Sequence, residues 1–208
     1  MKTGLIIIDV QNDFIPGGAL PVPEGNKVIA EINAVVGYFD YVVATQDWHP
    51  PDHGSFASNH EGKKPFDQTN LNGLNQTLWP DHCIQGTWGA EFHSELATNA
   101  IQAVFRKGMD PTVDSYSGFY DNGHRHQTGL AGFLKGLDIW RLFFCGLAGD
   151  YCVNHSVKDA LDEGFQCHLY TPAIRPISQD SYREILKELT TRGAILHHEL
   201  TDPAAIPS

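Results

Sequence analysis

The stretch LFFCGLAGDYCVNHSVKDALDEG (142–164) changes its pattern half-way along, and this change indicates the fold. Residues 142–148 are mostly apolar, which is typical of a strand buried on both faces of a parallel sheet. After a turn containing glycine, apolar residues recur at helical spacing: Val153, Val157, Ala160 and Leu161. Gly164 suits the end of that helix. The stretch therefore predicts a strand, a turn and a helix in succession.

The rest of the chain repeats this alternation. Five further strands are predicted from apolar runs at 5–10, 41–48, 103–108, 166–171 and 194–199. Helices are predicted at 28–39, 127–136 and 181–193. Strands that alternate with helices of this length specify a parallel sheet. We therefore expect α/β architecture, with residues 1–208 forming a single doubly wound domain in which helices flank a six-stranded parallel sheet.

Charge and cysteine content limit the class of partner. The 208 residues carry a formal net charge of -11, so no basic field attracts a nucleic acid or an anionic membrane. The apolar run before Asp9 is too short for a signal peptide or a membrane span. The four cysteines form no CxxC pair, which favours free thiols in a reducing compartment. We expect a cytoplasmic protein with a small-molecule partner, and the sequence also allows a homo-oligomer.

Three polar residues occupy strand ends, where ligands bind in an open α/β sheet. Asp9 follows the first strand, Lys107 ends the third and Cys152 follows the fourth. Cys152 also opens a predicted helix, whose N–H groups and dipole favour a thiolate and can hold an oxyanion. Separately, Asp9 could form a turn and Lys107 could be a solvated strand end. Together they offer a base, a cation and a nucleophile.

Other thiols and imidazoles near this segment are weaker candidates. Cys145 and Cys167 lie within apolar strands, where burial makes a thiol inert, so we expect them in the core. His155 is one helical turn from Cys152 and is the one histidine obviously placed to act as its base.

The segment from about 49 to 100 predicts a long irregular loop after the second strand, because it is rich in His, Pro, Gly, Asn and Trp. Its bulky residues argue against disorder by anchoring it to the core. These residues are Phe56, Phe66, Trp79 and Trp88.

The start of this loop offers a metal site. In TQDWHPPDHGSF (45–56), Asp47, His49 and His53 follow D-x-H-x3-H spacing, and His82 can complete the set. Three imidazoles and one carboxylate suit Zn, Fe or Mn. A polar loop with incidental histidines is the alternative that spacing alone leaves open. Cys83, beside His82, is a conceivable soft ligand that we expect to be buried instead.

Taken together, these motifs resemble the nicotinamidase/pyrazinamidase group of the isochorismatase-like cysteine hydrolases. The resemblance covers essentially the whole chain through IIIDVQNDFIPGGAL (6–20), ATQDWHPPDHGSFASNH (44–60), WPDHCIQGTWGAEFH (79–93), FRKGMDPTVDSYSGFYDN (105–122) and GLAGDYCV (146–153). It implies hydrolysis of nicotinamide to nicotinate and ammonia through a cysteine thioester, acceptance of pyrazinamide, and a role in NAD salvage.

The resemblance also implies a role for each residue of the reaction centre. Asp9 would act as the general base, Lys107 would stabilise charge and Cys152 would attack. The N–H groups of Ala148 and Cys152 would form the oxyanion hole after a cis peptide between Leu147 and Ala148.

The metal and the substrate pocket follow from the same resemblance. One divalent ion, zinc in the first place with iron or manganese as alternatives, would face the ring nitrogen of the substrate. Its ligands would be Asp47, His49, His53 and His82, and the aromatic pocket would be lined by Phe14, Trp79 and Tyr116.

One position departs from the family pattern, because Gly149 stands where threonine is usual. Glycine admits more backbone conformations, so we expect a less rigid oxyanion turn and lower activity than is typical.

Two other functions stay open. The first is a related cysteine amidase acting on another small amide or an N-carbamoyl compound. The predicted metal ligands argue against this function, because a metal that binds a ring nitrogen is useful only for a heteroaromatic substrate. The second is a non-catalytic α/β module that binds a metal or metabolite. That module would require the residues at three separate strand ends to be incidental.

Overall fold

A parallel sheet of six strands forms the centre of the computed structural model, which describes residues 2–199. The strands of that region are β1 (Lys2–Ile8), β2 (Tyr41–Asp47), β3 (Gln68–Leu71), β4 (Leu74–Thr77), β5 (Ala103–Lys107), β6 (Ile139–Leu147), β7 (Gln166–Arg175) and β8 (Ile195–His197). The order in the sheet is β5-β2-β1-β6-β7-β8, which confirms the predicted fold. Residues 1 and 200–208 of the expected domain lie outside the described residues.

Helices cover both faces of the sheet. They are α1 (Lys27–Val35), α2 (Leu130–Gly136), α3 (Asn154–Asp162) and α4 (Gln179–Thr191). Successive side chains of β1 point to opposite faces, so Ile7 packs in the core beneath α1 while Ile6 packs in the core beneath α2 and α3. Helix α1 ends earlier than predicted, and one 3₁₀ turn follows it. Within residues 2–199, no helix is long and apolar enough to cross a bilayer.

The long loop after β2 contains regular structure that the prediction missed. Strands β3 and β4 form an antiparallel hairpin, and Asn72 and Gly73 between them both have positive φ, as in a type I′ turn. Of the four expected anchors, Phe56 and Trp79 are buried. Phe66 and Trp88 are 60% and 64% exposed, so the expectation that they anchor the loop is wrong.

The segment between β6 and α3 differs from the predicted strand-to-helix junction. Residues Gly149–Val153 form a single π-helical turn, in which the N–H of Val153 donates to the carbonyl oxygen of Ala148. Cys152 therefore lies inside this turn, two residues before α3, and does not open the helix. The extra turn places Cys152 at the C-terminal edge of the sheet, beside the ends of β1, β2 and β5.

Candidate active site

Asp9, Lys107 and Cys152, which we call the triad, meet at the C-terminal edge of the sheet. The Nζ atom of Lys107 lies 3.0 Å from Oδ2 of Asp9 and 3.6 Å from Sγ of Cys152. All three side chains are buried. Strand β1 lies between β2 and β6, and β5 lies on the other side of β2, so the topology brings these three strand ends within reach of one another.

Lys107 contacts a second carboxylate. Its Nζ donates to Oδ1 of Asp47 at 2.7 Å and to the carbonyl oxygen of Ser115 at 2.9 Å. Asp47 and Lys107 are directly paired across β2 and β5. Burial acts to lower the pKa of Lys107, but Asp47 and Asp9 raise it well above the usual value. Lys107 is therefore a buried ammonium shared by two acids.

The two acids respond differently to their surroundings. Burial raises the pKa of Asp9, and the attraction of Lys107 offsets only part of that effect. Burial also acts to raise the pKa of Asp47, but Lys107 and then His49 hold it far below the usual value. The surroundings of Asp47 therefore favour its ionised form, whereas Asp9 is the carboxylate that more readily accepts a proton.

The surroundings of Cys152 favour the thiol over the thiolate. Burial raises its pKa well above the usual value, and the attraction of Lys107 compensates only partly. The thiolate expected at a helix N-terminus is thus not favoured, because Cys152 precedes α3 and two carboxylates lie nearby. The proton must therefore leave as the sulfur reacts, which requires a base at hand.

His49, His53 and His82, called here the histidine cluster, lie next to one another, and two of them face the outer oxygen of Asp47. Oδ2 of Asp47 lies 3.5 Å from Nε2 of His49 and 3.8 Å from Nε2 of His82. The ring of His53 is tilted relative to that of His49, and the two ring centroids are 4.4 Å apart. Burial lowers the pKa of His82 to about 4 and lowers that of His53, whereas Asp47 raises the pKa of His49 against the effect of burial.

The histidine cluster fits a divalent metal. Nδ1 of His49 donates to the carbonyl oxygen of Gly108 and Nδ1 of His82 to that of Pro80, both at 2.8 Å. These bonds leave the Nε2 lone pairs free, which is how metal-binding imidazoles are held. Nε2 of His53 is buried without a hydrogen-bond partner, so a metal would satisfy it.

Two groups of possible ligand atoms overlap at His49. One group consists of Asp47, His49 and His82, and the other of His49, His53 and Asp114. In each group the ligand atoms lie within 4.8 Å of one another. The structure therefore divides the four sequence-predicted ligands between two groups that share His49, and it adds Asp114, which the sequence did not indicate.

An aromatic cavity opens beside Cys152. Phe14, Trp79 and Tyr116, the three residues expected there, all line it, together with Ala148 and Cys152 of the proposed oxyanion turn. The indole of Trp79 donates to the hydroxyl of Tyr116 at 3.2 Å, which fixes two of its walls. Asp47, His82 and Asp114 reach the same cavity. The cavity thus connects the triad with the histidine cluster across a space bounded by flat rings.

Comparisons with known proteins show the family of this chain. A family model described as the isochorismatase domain matches residues 3–198. The chain belongs to the isochorismatase family. Its sequence is 45% identical to the nicotinamidase of Escherichia coli over 200 residues, which covers 93% of each chain.

Solved structures also resemble this isochorismatase family member. A nicotinamidase/pyrazinamidase from Acinetobacter baumannii is 41% identical, with a TM-score of 0.91 and coverage of 94% of this chain and 95% of the other. A pyrazinamidase of Pyrococcus horikoshii, solved in complex with zinc, is 35% identical, with a TM-score of 0.79 and coverage of 96% and 100%.

Gly149, where this family member departs from the usual threonine, lies in a crowded position. A Cβ atom at residue 149 would come within 2.9 Å of Ile174 Cγ2 and of Tyr182 Cε2. The ring of Tyr182 is buried and packs directly on the turn. Neighbouring side chains therefore fill the space that a residue other than glycine would occupy, while the less rigid turn and the lower activity stay predictions. The peptide bond between Leu147 and Ala148 is cis, as expected.

The remaining candidates lie away from the triad. The ring of His155 packs against Tyr116 at 5.2 Å and lines a different cavity, so His155 is not the base for Cys152. Cys83, Cys145 and Cys167 are buried free thiols, as expected.

Several residues of the pocket and of the reaction centre gave no signal in the sequence. Leu20, Tyr151 and Ile177 line the cavity. Thr45 donates its hydroxyl to Asp9 at 2.6 Å. The position of Tyr151 beside Cys152 is the one clue that could have identified any of these residues, since a residue next to the nucleophile faces the same site.

Proposed function

We propose that this member of the isochorismatase family is a nicotinamidase, which hydrolyses nicotinamide to nicotinate and ammonia. The observation that carries the proposal is the position of Cys152. Its thiol lies beside the Asp9 and Lys107 pair and on the wall of an aromatic cavity that also reaches the histidine cluster. The similarity to the Escherichia coli nicotinamidase over nearly the whole chain supports the same substrate.

The first half of the reaction uses the triad. Sγ of Cys152 attacks the carboxamide carbon while its proton passes to Asp9, the acid whose pKa burial raises. The resulting tetrahedral oxyanion accepts hydrogen bonds from the N–H groups of Ala148 and Cys152, donors of a kind worth roughly 3–4 kcal/mol each. Lys107 stays protonated and stabilises the negative charge that moves between sulfur and carboxylate.

The second half releases the products. The carbon–nitrogen bond breaks, Asp9 returns the proton to the departing nitrogen, and ammonia leaves a nicotinoyl thioester on Cys152. Water then attacks the thioester with Asp9 taking its proton, the carbon–sulfur bond breaks, and the proton goes to the thiolate. Because Asp9 alternates between base and acid, its pKa has to differ from that of an ordinary surface aspartate.

The residues suited to hold a divalent metal are Asp47, His49, His53 and His82. A bound metal supplies a Lewis acid that can orient a heteroaromatic ring nitrogen. We propose that the metal is zinc, with iron or manganese as alternatives. Two observations support zinc: the set contains three nitrogen ligands, and the Pyrococcus horikoshii relative was solved in complex with zinc. Metal analysis of His53→Ala tests this set, because retention of the full metal content would exclude His53 as a ligand.

Pyrazinamide is proposed as a second substrate. The cavity walls Phe14, Trp79 and Tyr116 are flat and apolar, and such a slot discriminates weakly between isosteric rings. An N-carbamoyl compound is less suited, because its aliphatic body would leave the aromatic walls and the histidine cluster without a partner. A non-catalytic module is disfavoured by the buried contacts within the triad, which cost desolvation and serve no evident structural purpose.

The setting of the activity is part of the same proposal. We propose one hydrolase domain over residues 1–208, located in the cytoplasm, where its product would enter NAD salvage. Free cysteines and a net charge of -11 support this location and a small-molecule partner, without nucleic acid or membrane. Light scattering would measure whether the chain forms the homo-oligomer that the sequence allows.

Ammonia release from nicotinamide tests the assignment. Wild type should release ammonia, Cys152→Ala should release none above background, and Cys145→Ala, a matched change of a buried thiol in the core, should retain activity. Absence of release by the wild type would refute the substrate. Equal rates for wild type and Cys152→Ala would refute the nucleophile.

A further inference from the structure

Thr45 is a buried polar residue of β2 that contacts the reaction centre without lining the substrate cavity. Its side chain is fully buried, and its hydroxyl donates to Oδ1 of Asp9 at 2.6 Å. Thr45 lies two residues before Asp47, so both side chains project from the same face of β2.

The two oxygens of Asp9 have different surroundings. Oδ1 is occupied by the hydroxyl of Thr45. Oδ2 lies 3.0 Å from Nζ of Lys107 but has no hydrogen bond of good geometry, although it is buried. The backbone of Asp9 is left-handed, with φ of 48°. The terminal torsion of an aspartate is broad, so its carboxylate can rotate unless a neighbouring group contacts one of the oxygens. Thr45 supplies that contact.

The orientation of Thr45 is itself fixed by a close contact. A Cβ atom at Gly118 would lie 2.6 Å from Cγ2 of Thr45, so the methyl group fills the space beside this glycine. The N–H of Gly118 donates to the hydroxyl of Ser156 in α3 at 2.8 Å, which holds the glycine in place. A β-branched side chain has few χ1 rotamers, and this contact selects the one that directs the hydroxyl to Asp9.

We propose that Thr45 is a positioning residue for proton transfer, because its hydroxyl holds Oδ1 of Asp9 so that Oδ2 alone faces the thiol of Cys152. This inference rests on the proposed role of Asp9 as the base. In this proposal the hydroxyl of Thr45 holds the carboxylate of Asp9. The missing side chain of Gly118 leaves room for the methyl group of Thr45, and the position of that methyl group directs the hydroxyl.

Kinetics of two variants separate the hydroxyl from packing. Thr45→Val keeps the shape but removes the hydroxyl, and we expect kcat to fall roughly 10- to 100-fold, the range for one hydrogen bond to a charged group. KM for nicotinamide should change by less than about twofold, because Thr45 does not line the cavity. Thr45→Ser keeps the hydroxyl but lacks the methyl group that restricts its rotamer, so its kcat should lie between those of wild type and Thr45→Val. Equal losses in both variants, or no loss in Thr45→Val, would overturn the proposal.

Gly118 provides a second, independent test. Gly118→Ala should lower kcat, because its new Cβ meets the methyl group of Thr45. The double variant Gly118→Ala/Thr45→Ser lacks that methyl and should recover activity relative to Gly118→Ala. A double variant no more active than Gly118→Ala contradicts the proposed aiming contact. Thermal melting would show whether Thr45→Val folds. If it does not fold, the comparison of Gly118→Ala with the double variant still tests the proposal, because serine and alanine are small side chains.

Crystal structures distinguish this inference from the proposed function. If wild type releases no ammonia from nicotinamide, the function fails, and the carboxylate of Asp9 is then compared in Thr45→Val and Thr45→Ser. If the Asp9 carboxylate is rotated or occupies two conformers in Thr45→Val but not in Thr45→Ser, the result supports positioning by Thr45. An unchanged carboxylate in both refutes it, whatever the substrate.

Discussion

Asp9 and Asp47 both contact the ammonium of Lys107, yet the two sides of this shared cation have different electrostatic character. On one side, Asp9 is surrounded by the thiol of Cys152 and the hydroxyl of Thr45, and its pKa is raised chiefly by burial. On the other, Asp47 also faces His49 and His82, and these groups with Lys107 lower its pKa despite equal burial.

This difference assigns the two carboxylates to different tasks. A general base that later acts as an acid must gain and lose a proton near neutral pH, which suits Asp9. A metal ligand must stay ionised, which suits Asp47. One lysine can serve both because its ammonium carries three N–H donors. Asp47 thereby also links the triad to the histidine cluster, two groups of residues that look independent in the sequence.

The largest expected effect is on the Asp9 side. Asp9→Asn removes the proton acceptor but keeps the size of the side chain, so kcat for nicotinamide should fall by roughly 10²- to 10⁴-fold. Metal content, measured by mass spectrometry, should equal that of wild type because Asp9 does not touch the histidine cluster. If Asp9→Asn kept wild-type kcat, the distinction between the two acids would be wrong.

A change on the Asp47 side should act on the metal instead. Asp47→Asn removes the charge that faces His49 and His82, and we expect metal affinity to fall roughly 10- to 100-fold or more. Titration with a chelator measures this. Wild-type metal affinity in Asp47→Asn would contradict the assignment of Asp47 as a ligand.

A glycine behind the histidine cluster offers a weaker version of the same test. Gly108 has φ of 66°, and a Cβ atom there would lie 2.3 Å from Cε1 of His49. Gly108→Ala should therefore displace that ring and lower metal affinity by about tenfold. The matched control is Gly132→Ala on α2, whose Cβ would meet nothing within 4 Å and which should bind metal like wild type. Equal affinities in the two variants would mean that Gly108 does not fix His49.

The smallest effect is on stability, and its sign should differ between the two acids. In metal-free protein the raised pKa of Asp9 means that its charge opposes folding at neutral pH, so Asp9→Asn should raise Tm at pH 7 by roughly 2–4 °C. This gain should vanish on acidification, once the wild-type carboxyl is protonated.

The lowered pKa of Asp47 has the opposite consequence. Its contribution to stability is present above the unfolded value of 3.8 and is lost only as the pH falls below it, so Asp47→Asn should lower Tm at pH 7. Scanning calorimetry of both chelator-treated variants measures the two shifts. Shifts of the same sign would show that the neighbouring charges do not distinguish the two carboxylates.

The sheet was predictable from sequence because its strands are apolar runs separated by amphipathic helices. The hairpin was missed because Gln68–Leu71 and Leu74–Thr77 are largely polar, although Asn72 and Gly73 between them are a hairpin signal. Exposed Phe66 and Trp88 show that size alone does not anchor a loop.

The composition of the site was more predictable than its electrostatics. Strand-end position suggested Asp9, Lys107 and Cys152, since parallel strands end at one edge. Burial, which determines whether Cys152 is a thiol or a thiolate, depends on the whole fold and is not encoded in local spacing. Thr45 was missed because a threonine inside an apolar strand is an ordinary β-branched residue until its neighbour across the sheet is known.

The pairing of Asp47 with Lys107 across β2 and β5 limits how the gene can change in length. Inserting or deleting one residue within β5 would turn the ammonium to the opposite face of the sheet, away from both acids. The hairpin of β3 and β4 lies outside the central sheet, so length changes at its exposed tip leave that register intact. Variants of this sequence that keep their activity should therefore carry insertions and deletions at residues 72 and 73 and none within 103–107.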